Sequence, residues 1–329
     1  MGITNFPNGI ASFGIPANGN VPSTFGNTAN KGAGKVLYVN PTTGSDGNRG
    51  TSMERPLASL SAANTSIVTN NHDVVVLSAT SGHAQTAELT VTKNRNHWYG
   101  LDAVGRYLGQ RSRVTMGVTT TAGTIAIVQT TGVGTSWQNI KFDSSDTLST
   151  SLYAFADGGE YTVIKNCELH KGTDLDQTTS AVLLCNGDSA YYSNCSMGSL
   201  QNGHAVSVNR PVVKFNRETI TGKVARDVRM DNCQFLLNTS ATAASHLHGT
   251  GATDIERSMV LKDCLFINAI LGTANPDEAI KFDSALTQGY VLVVGGGEVG
   301  CTALSTTTGV FVLNSGAASA TGGSAVQAS

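Results

Sequence analysis

Short apolar runs separated by polar residues and turn formers fill the chain, and one pattern recurs. The order apolar, polar, Asn or Asp, small apolar, polar, apolar describes Ile164-Lys165-Asn166-Cys167-Glu168-Leu169, Tyr192-Ser193-Asn194-Cys195-Ser196-Met197, Met230-Asp231-Asn232-Cys233-Gln234-Phe235 and Leu261-Lys262-Asp263-Cys264-Leu265-Phe266. Trp137-Gln138-Asn139-Ile140-Lys141-Phe142 fits with Ile in place of Cys, and residues 294–299 form a degenerate copy. The fourth positions are Ile140, Cys167, Cys195, Cys233, Cys264 and Gly297, at steps of 27, 28, 38, 31 and 33 residues. A repeat on this scale is one supersecondary unit that buries its apolar face only by stacking on the next. The steps are too irregular for helical repeats and too long for a hairpin ladder. They suit coils of three short strands joined by loops of variable length.

Stacked coils pair in parallel, each rung about 4.8 Å above the last. The alternation then turns Ile164, Cys167 and Leu169 inward and Lys165 and Glu168 outward. Asn166 falls at a bend, where Asn tolerates a positive φ better than other non-glycine residues. Stacked Asn amides can bond from rung to rung. The core ladder is Ile140, Cys167, Cys195, Cys233 and Cys264, with the thiols packed as small hydrophobes. Weaker strand patterns upstream cover 73–77, 88–92, 97–101, 114–118 and 124–129. The spacing at 56–68 predicts a short helix with Pro56 near its first position, placed to cap the open end of the stack. The predicted fold is all-β, a single-stranded right-handed parallel β-helix of about 8–10 rungs, roughly 40–50 Å long.

The ends of the chain differ from the middle. No charge precedes Lys31, and the first thirty residues are rich in Gly, Asn and Pro, with Phe6, Ile10, Phe13, Ile15 and Phe25 spaced along them. Residues 1–35 read as an extended arm whose docking anchors are Phe6, Phe13, Ile15 and Phe25, since a purely solvated linker has no use for such residues. Residues 36–300 form the β-helix, and 301–329 a strand followed by a small-residue tail. Charged residues make up 13% of the 329, about half the usual share of roughly 25%. With a net charge of -2, the chain has no electrostatic footprint for nucleic acid or an anionic membrane. No CxxC pair occurs among the six cysteines, and residues 1–30 lack the basic and apolar regions of an export signal, so reduced thiols are expected.

The run Tyr38-Val39-Asn40-Pro41-Thr42-Thr43-Gly44-Ser45-Asp46, with Gly50-Thr51-Ser52, Pro56-Leu57 and Asp73-Val74-Val75-Val76-Leu77, resembles the N-terminal signature of pectate-lyase-like right-handed β-helices. Phage tailspikes and tailspike-like virion proteins are the most similar members. The resemblance implies a bacteriophage structural protein, a tailspike-like capsid decoration or cement protein on the virion surface, made in the host cytoplasm. Its implied partners are the major capsid protein or another virion protein, and two further copies of itself in a homotrimer. The alternative is a tailspike-type receptor-binding protein that binds or depolymerises a host polysaccharide. The fold hosts both kinds. No cofactor is implied.

If the chain is an enzyme, the chemistry is that of a glycoside hydrolase or lyase, and carboxylates are the groups to find. Seven positions before the ladder cysteines stand Glu160, Asp188, Arg226 and Arg257. In register they form an outward column in which Glu160 and Asp188 are neighbours, at a spacing that suits a retaining glycosidase pair, about 5 Å apart. The same column also reads as a plain charge ladder. Asp143 and His170 follow the ladder triplets on adjacent rungs, as a hydrogen-bonded surface pair or an acid–base dyad. His246 and His248 alternate on one face if extended, and His-x-His can supply two metal ligands. Asp254, Glu256, Asp277 and Glu278 fall in longer insertions and read as solvated loop charges. Residues 295–300 match GxGxxG, but a Thr-rich, strand-like stretch follows instead of the helix a dinucleotide site requires.

Overall fold

The computed structural model describes residues 34–79, 82–101, 112–116, 126–144, 152–171, 180–200, 210–217, 219–220, 222–270 and 275–313, with strand pairs at Ala11–Ser12, Ile15–Pro16 and Gln327–Ala328. The anchors Phe6, Phe13 and Phe25 lie outside these residues. Ile15 is placed only through its backbone, which pairs with Ser12.

Three sheets run the length of a right-handed parallel β-helix. The first has eleven strands and extends from Val36–Val39 to Val310–Leu313, closed by the antiparallel Gln327–Ala328. The second has eight, from His83–Gln85 to Gly297–Val299, and the third seven, from Leu89–Val91 to Ile280–Phe282. Successive sextets occupy successive rungs. Trp98, Trp137, Ile164, Tyr192, Met230, Leu261 and Val293 form one inward column of the first sheet. Val114, Phe142, Leu169, Met197, Phe235 and Phe266 form that of the second. Glu298 takes the next position in this second column, so the last rung places a charge where the core would continue.

Backbone chirality sets both corners of the first sheet. At its exit Asn139, Asn166, Asn194, Asn232 and Asp263 have φ between 52° and 56°, and Gly295 takes the sixth place at 69°. Each amide bonds the carbonyl one rung on, as in Asn166 to Ser193 at 3.0 Å and Asn194 to Asp231 at 3.0 Å. Asn232 Nδ2 also donates to Asn194 Oδ1 at 2.8 Å, so the amide stacking expected from the pattern is realised on that step. Behind this corner Ile140, Cys167, Cys195, Cys233 and Cys264 are buried in the main apolar core. The Sγ–H groups of Cys167, Cys195 and Cys264 donate to Trp137, Ile164 and Met230 carbonyls on the previous rung. All six thiols are free.

The helix is shorter than the spacing suggested. It spans Leu60–Ser66, capped by Ser59, whose Oγ accepts from the Ala62 amide at 3.1 Å. Pro56 is therefore upstream of the first turn, and Leu57 bridges Val39 instead. Leu60 and Ala63 close the end of the core, as a cap must. At the other terminus Lys93 Nζ donates to the carbonyls of Asn64, Thr65 and Ile67 at 2.6–2.8 Å, satisfying groups the helix leaves orphaned. No helix among the described residues is long and apolar enough to cross a membrane.

Candidate functional site

The corner that enters the first sheet has a second column of left-handed residues: Arg95, Gly134, Tyr161, Ser189, Asp227 and Arg257. Here the amides of Gly134, Tyr161 and Ser189 bond the carbonyls of Glu160, Asp188 and Arg226 at 2.7–2.8 Å. Those three carbonyl residues are the candidate column, and they pair in parallel, Glu160 with Asp188 and Asp188 with Arg226. The expected neighbours Glu160 and Asp188 are thus on adjacent rungs, and Arg226 keeps the register across the 38-residue step.

The fourth member differs from the expectation. Arg226 faces Glu256, and Arg257 is displaced because the strand Ile255–Lys262 carries an extra residue opposite Arg226–Val228. Glu256 is therefore a rung residue and not a solvated loop charge. A bulge of this kind shifts the register locally without disturbing the core column beyond it.

The side chains form a continuous ion-pair network. Arg226 Nη1 donates to Asp188 Oδ2 at 2.9 Å and Nε to Glu256 Oε2 at 2.7 Å, with a further contact from Nη2 to Glu256. Arg257 bonds Asp227 at 2.6 Å and reaches Asp188 Oδ1 at 3.5 Å, where Ser189 Oγ also donates at 2.9 Å. The hydrogen bonds it donates to Glu256 and Asp188, the former the stronger influence, make Arg226 hold its proton still more firmly than a free guanidinium. Glu160 has Lys223 at 3.6 Å and is the more open of the two candidate carboxylates, 45% exposed against 27% for Asp188. Beside them Tyr161 projects into solvent, 61% exposed. The geometry offers alternating charge and a flat aromatic face, with the acceptor positions of Asp188 already taken.

This arrangement predicts a modest, salt-sensitive contribution. Arg226→Met leaves Asp188 and Glu256 facing each other across the corner. The expected loss is about 1 kcal/mol of unfolding free energy in dilute buffer, shrinking in molar salt. Urea midpoints in the two buffers measure it, and a loss that salt leaves unchanged would show that packing of the arginine stem outweighs its charge.

Asp143 and His170 meet as expected, Nδ1 to Oδ1 at 2.8 Å, with Arg113 at 4.0 Å. They are less superficial than a surface pair, at 12% and 14% side-chain exposure. Burial alone would raise the Asp143 carboxyl. The bond from His170 and the charges of His170, Lys141 and Arg113 outweigh it and hold the group below its ordinary value.

His246 and His248 do not converge. His246 sits at the corner before Leu247–Gly249 and turns into the core, edge-on to Phe266, with burial lowering its pKa to about 4. His248 points outward to Asp283 Oδ1 at 3.1 Å. The irregular corner breaks the alternation that would have put both rings on one face. Among the described residues no three potential ligands cluster for a metal. Asp254 is 4% exposed and not a solvated charge, because it accepts the amides of Thr250 and Gly251 at 2.8 Å and of Arg217 at 3.2 Å. Residues 295–300 form a turn and the strand Gly297–Val299, not a phosphate-binding helix start.

One ionisable residue had no motif to mark it. Asp157 ends the strand Tyr153–Asp157 and points inside the coil. Its Oδ1 accepts from Thr162 Oγ1 at 2.9 Å and from the Gly159 amide at 3.0 Å, and its Oδ2 from Tyr192 OH at 2.6 Å. Burial raises its pKa to about 6, although these bonds and Lys223 pull the other way. The detectable signal was parity, since Phe155 faces the core and Asp157 lies two residues on.

No protein-family model matches the chain, and no curated protein matches its sequence. Among solved structures it is similar to a rhamnogalacturonan lyase (TM-score 0.52, 14% identity, 81% of this chain and 75% of that one). It is similar also to the pectin methylesterase from Aspergillus niger (TM-score 0.51, 11% identity, 84% and 91%). At these identities the likeness is one of fold, and that fold is the right-handed parallel β-helix.

Proposed function

We propose that the chain is a non-catalytic structural protein of a phage particle, a rigid β-helix that decorates the capsid and is held there by residues 1–35. The observation that carries this reading is the anchor-spaced segment, uncharged over residues 1–30, joined to a rod whose candidate carboxylates face cations. An extended segment can add main-chain hydrogen bonds to a capsid subunit while Phe6, Phe13 and Phe25 fill pockets. Removing residues 1–30 should abolish co-sedimentation with purified capsids and leave the β-sheet circular dichroism unchanged. Full decoration by the truncated chain would refute the arm's role.

A second reading is a polysaccharide-binding or depolymerising receptor protein. It is favoured by the likeness to structures named as a rhamnogalacturonan lyase and a pectin methylesterase, and by Tyr161 standing exposed beside Glu160 and Asp188. Release of reducing ends from host-surface polysaccharide, lost in Glu160→Gln, would favour it over the first.

A further inference from the structure

At the end of the rod where the arm joins, residues 40–57 fold back on the first strand. Tyr38 donates to the Gly50 carbonyl at 2.7 Å, and Leu57 to that of Tyr38 at 2.8 Å. Asn48 Nδ2 ties the loop across to Pro56 at 2.8 Å, and the Ser52 carbonyl and hydroxyl hold the Arg55 and Glu54 amides. The loop is thus pinned along its length. A solvent-open hollow of about 350 Å³ on its surface is lined by Gly47, Asn48, Arg49, Gly50, Thr51, Ser52 and Arg55.

Both guanidiniums on this lining are exposed, and among the described residues neither has a carboxylate within ion-pair distance. The neighbouring acids are engaged or absent from the lining. Asp46 accepts from Ala58, Ser59 and the Ser59 hydroxyl, and Glu54 lies outside the cavity wall. In contrast, the arginines of the corner column, Arg226 and Arg257, are both paired. Gly50 is buried at φ 71°, and a Cβ there would meet Leu57 Cγ at 2.6 Å. Its carbonyl is bonded, but its amide finds no acceptor among the described residues. A buried amide without an acceptor is rare in a folded chain and calls for one.

We propose that this loop is an oxyanion-binding site, with Arg49 and Arg55 as the charged clamp and the Gly50 amide as a neutral donor. Planar guanidiniums match carboxylate and phosphate oxygens bidentately, and backbone amides in a tight loop supply the directional part. Open to solvent, the hollow admits an oxyanion carried on a larger molecule. Under the capsid-docking reading, on which only the source of the anion rests, that ligand is an acidic group of the surface the arm reaches. A free phosphate-bearing molecule is the other source.

The test uses the full chain, with amide resonances recorded during titration by inorganic phosphate and, separately, by triglutamate. Saturable shifts at Gly50 and its loop neighbours are expected with at least one probe. Binding should weaken at least about tenfold in Arg49→Gln/Arg55→Gln, whose remaining spectrum stays native. Tighter triglutamate binding assigns the site to an acidic partner, and tighter phosphate binding to a free phosphorylated ligand. Absence of saturable shifts with both probes, or equal affinity in the double variant, would overturn the site. Neither result bears on the arm, which the truncation experiment reads on its own.

Discussion

Replacing Trp137 by alanine is expected to lower the unfolding free energy by about 4 kcal/mol, measured as a urea midpoint shift at constant slope. Trp137 is fully buried at the centre of the core's aromatic cluster. It stacks on Trp98 at 4.8 Å and 13°, and receives the edges of Phe142 and Phe155, each at 5.6 Å. Truncation removes the transfer energy of the indole and leaves a cavity between rungs whose backbones are tied in parallel register and cannot collapse into it. Trp137→Phe separates size from chemistry. It keeps a ring in the stack and removes an indole N–H that has no acceptor among the described residues, so its loss should be less than half as large. A loss below about 1 kcal/mol for the alanine variant would mean that the aromatic cluster is not the packed centre of the rod.

Asp157→Asn is expected to stabilise the protein above pH 6. The folded carboxyl is raised to about 6 from an ordinary 3.8, chiefly by burial. Below 3.8 both folded and unfolded states hold the proton and the group has no effect. As pH rises towards 6 the unfolded chain releases its proton first. Stability falls through this window and then levels off, by about 3 kcal/mol for a shift of this size. The amide stays neutral throughout. It can still accept from Thr162 and the Gly159 amide, and it can donate to Tyr192, whose hydroxyl then turns to Cys185 Sγ, 3.6 Å away. The variant should therefore exceed the parent by about 1–3 kcal/mol at pH 7.5 and match it near pH 4. Equal stability at both pH values would show that the carboxyl is not desolvated as described.

The corner at the exit of the first sheet was legible because its requirement is local. A left-handed residue followed by a small buried one leaves Asn or Asp and then Cys in the sequence, rung after rung. The corner at its entrance uses the same backbone geometry but fills it with Tyr161, Ser189, Asp227 and Arg257, which share no side-chain chemistry. Only the carbonyl-to-amide chain unites them, and that is invisible in a string of letters. Counting back from Cys264 reached Arg257 and missed Glu256, because a one-residue bulge lies between. Parity placed Lys165 and Glu168 outward, and would have placed Asp157 inward, but it failed for His246 at an irregular corner. Sequence periodicity therefore located the ladder, whereas the groups in the loop around Arg49 and Arg55 meet through folding back and have no period to read.

The central claim, a rod fixed to a shell by its uncharged arm, is tested most directly by locating the protein on intact particles. Electron cryomicroscopy of virions carrying a gold-labelled chain should show the label distributed over the capsid, and bare shells when residues 1–30 are removed. Label confined to the tail tip would contradict the account and turn the column of Glu160, Asp188 and Tyr161 into the first place to look for a bound glycan.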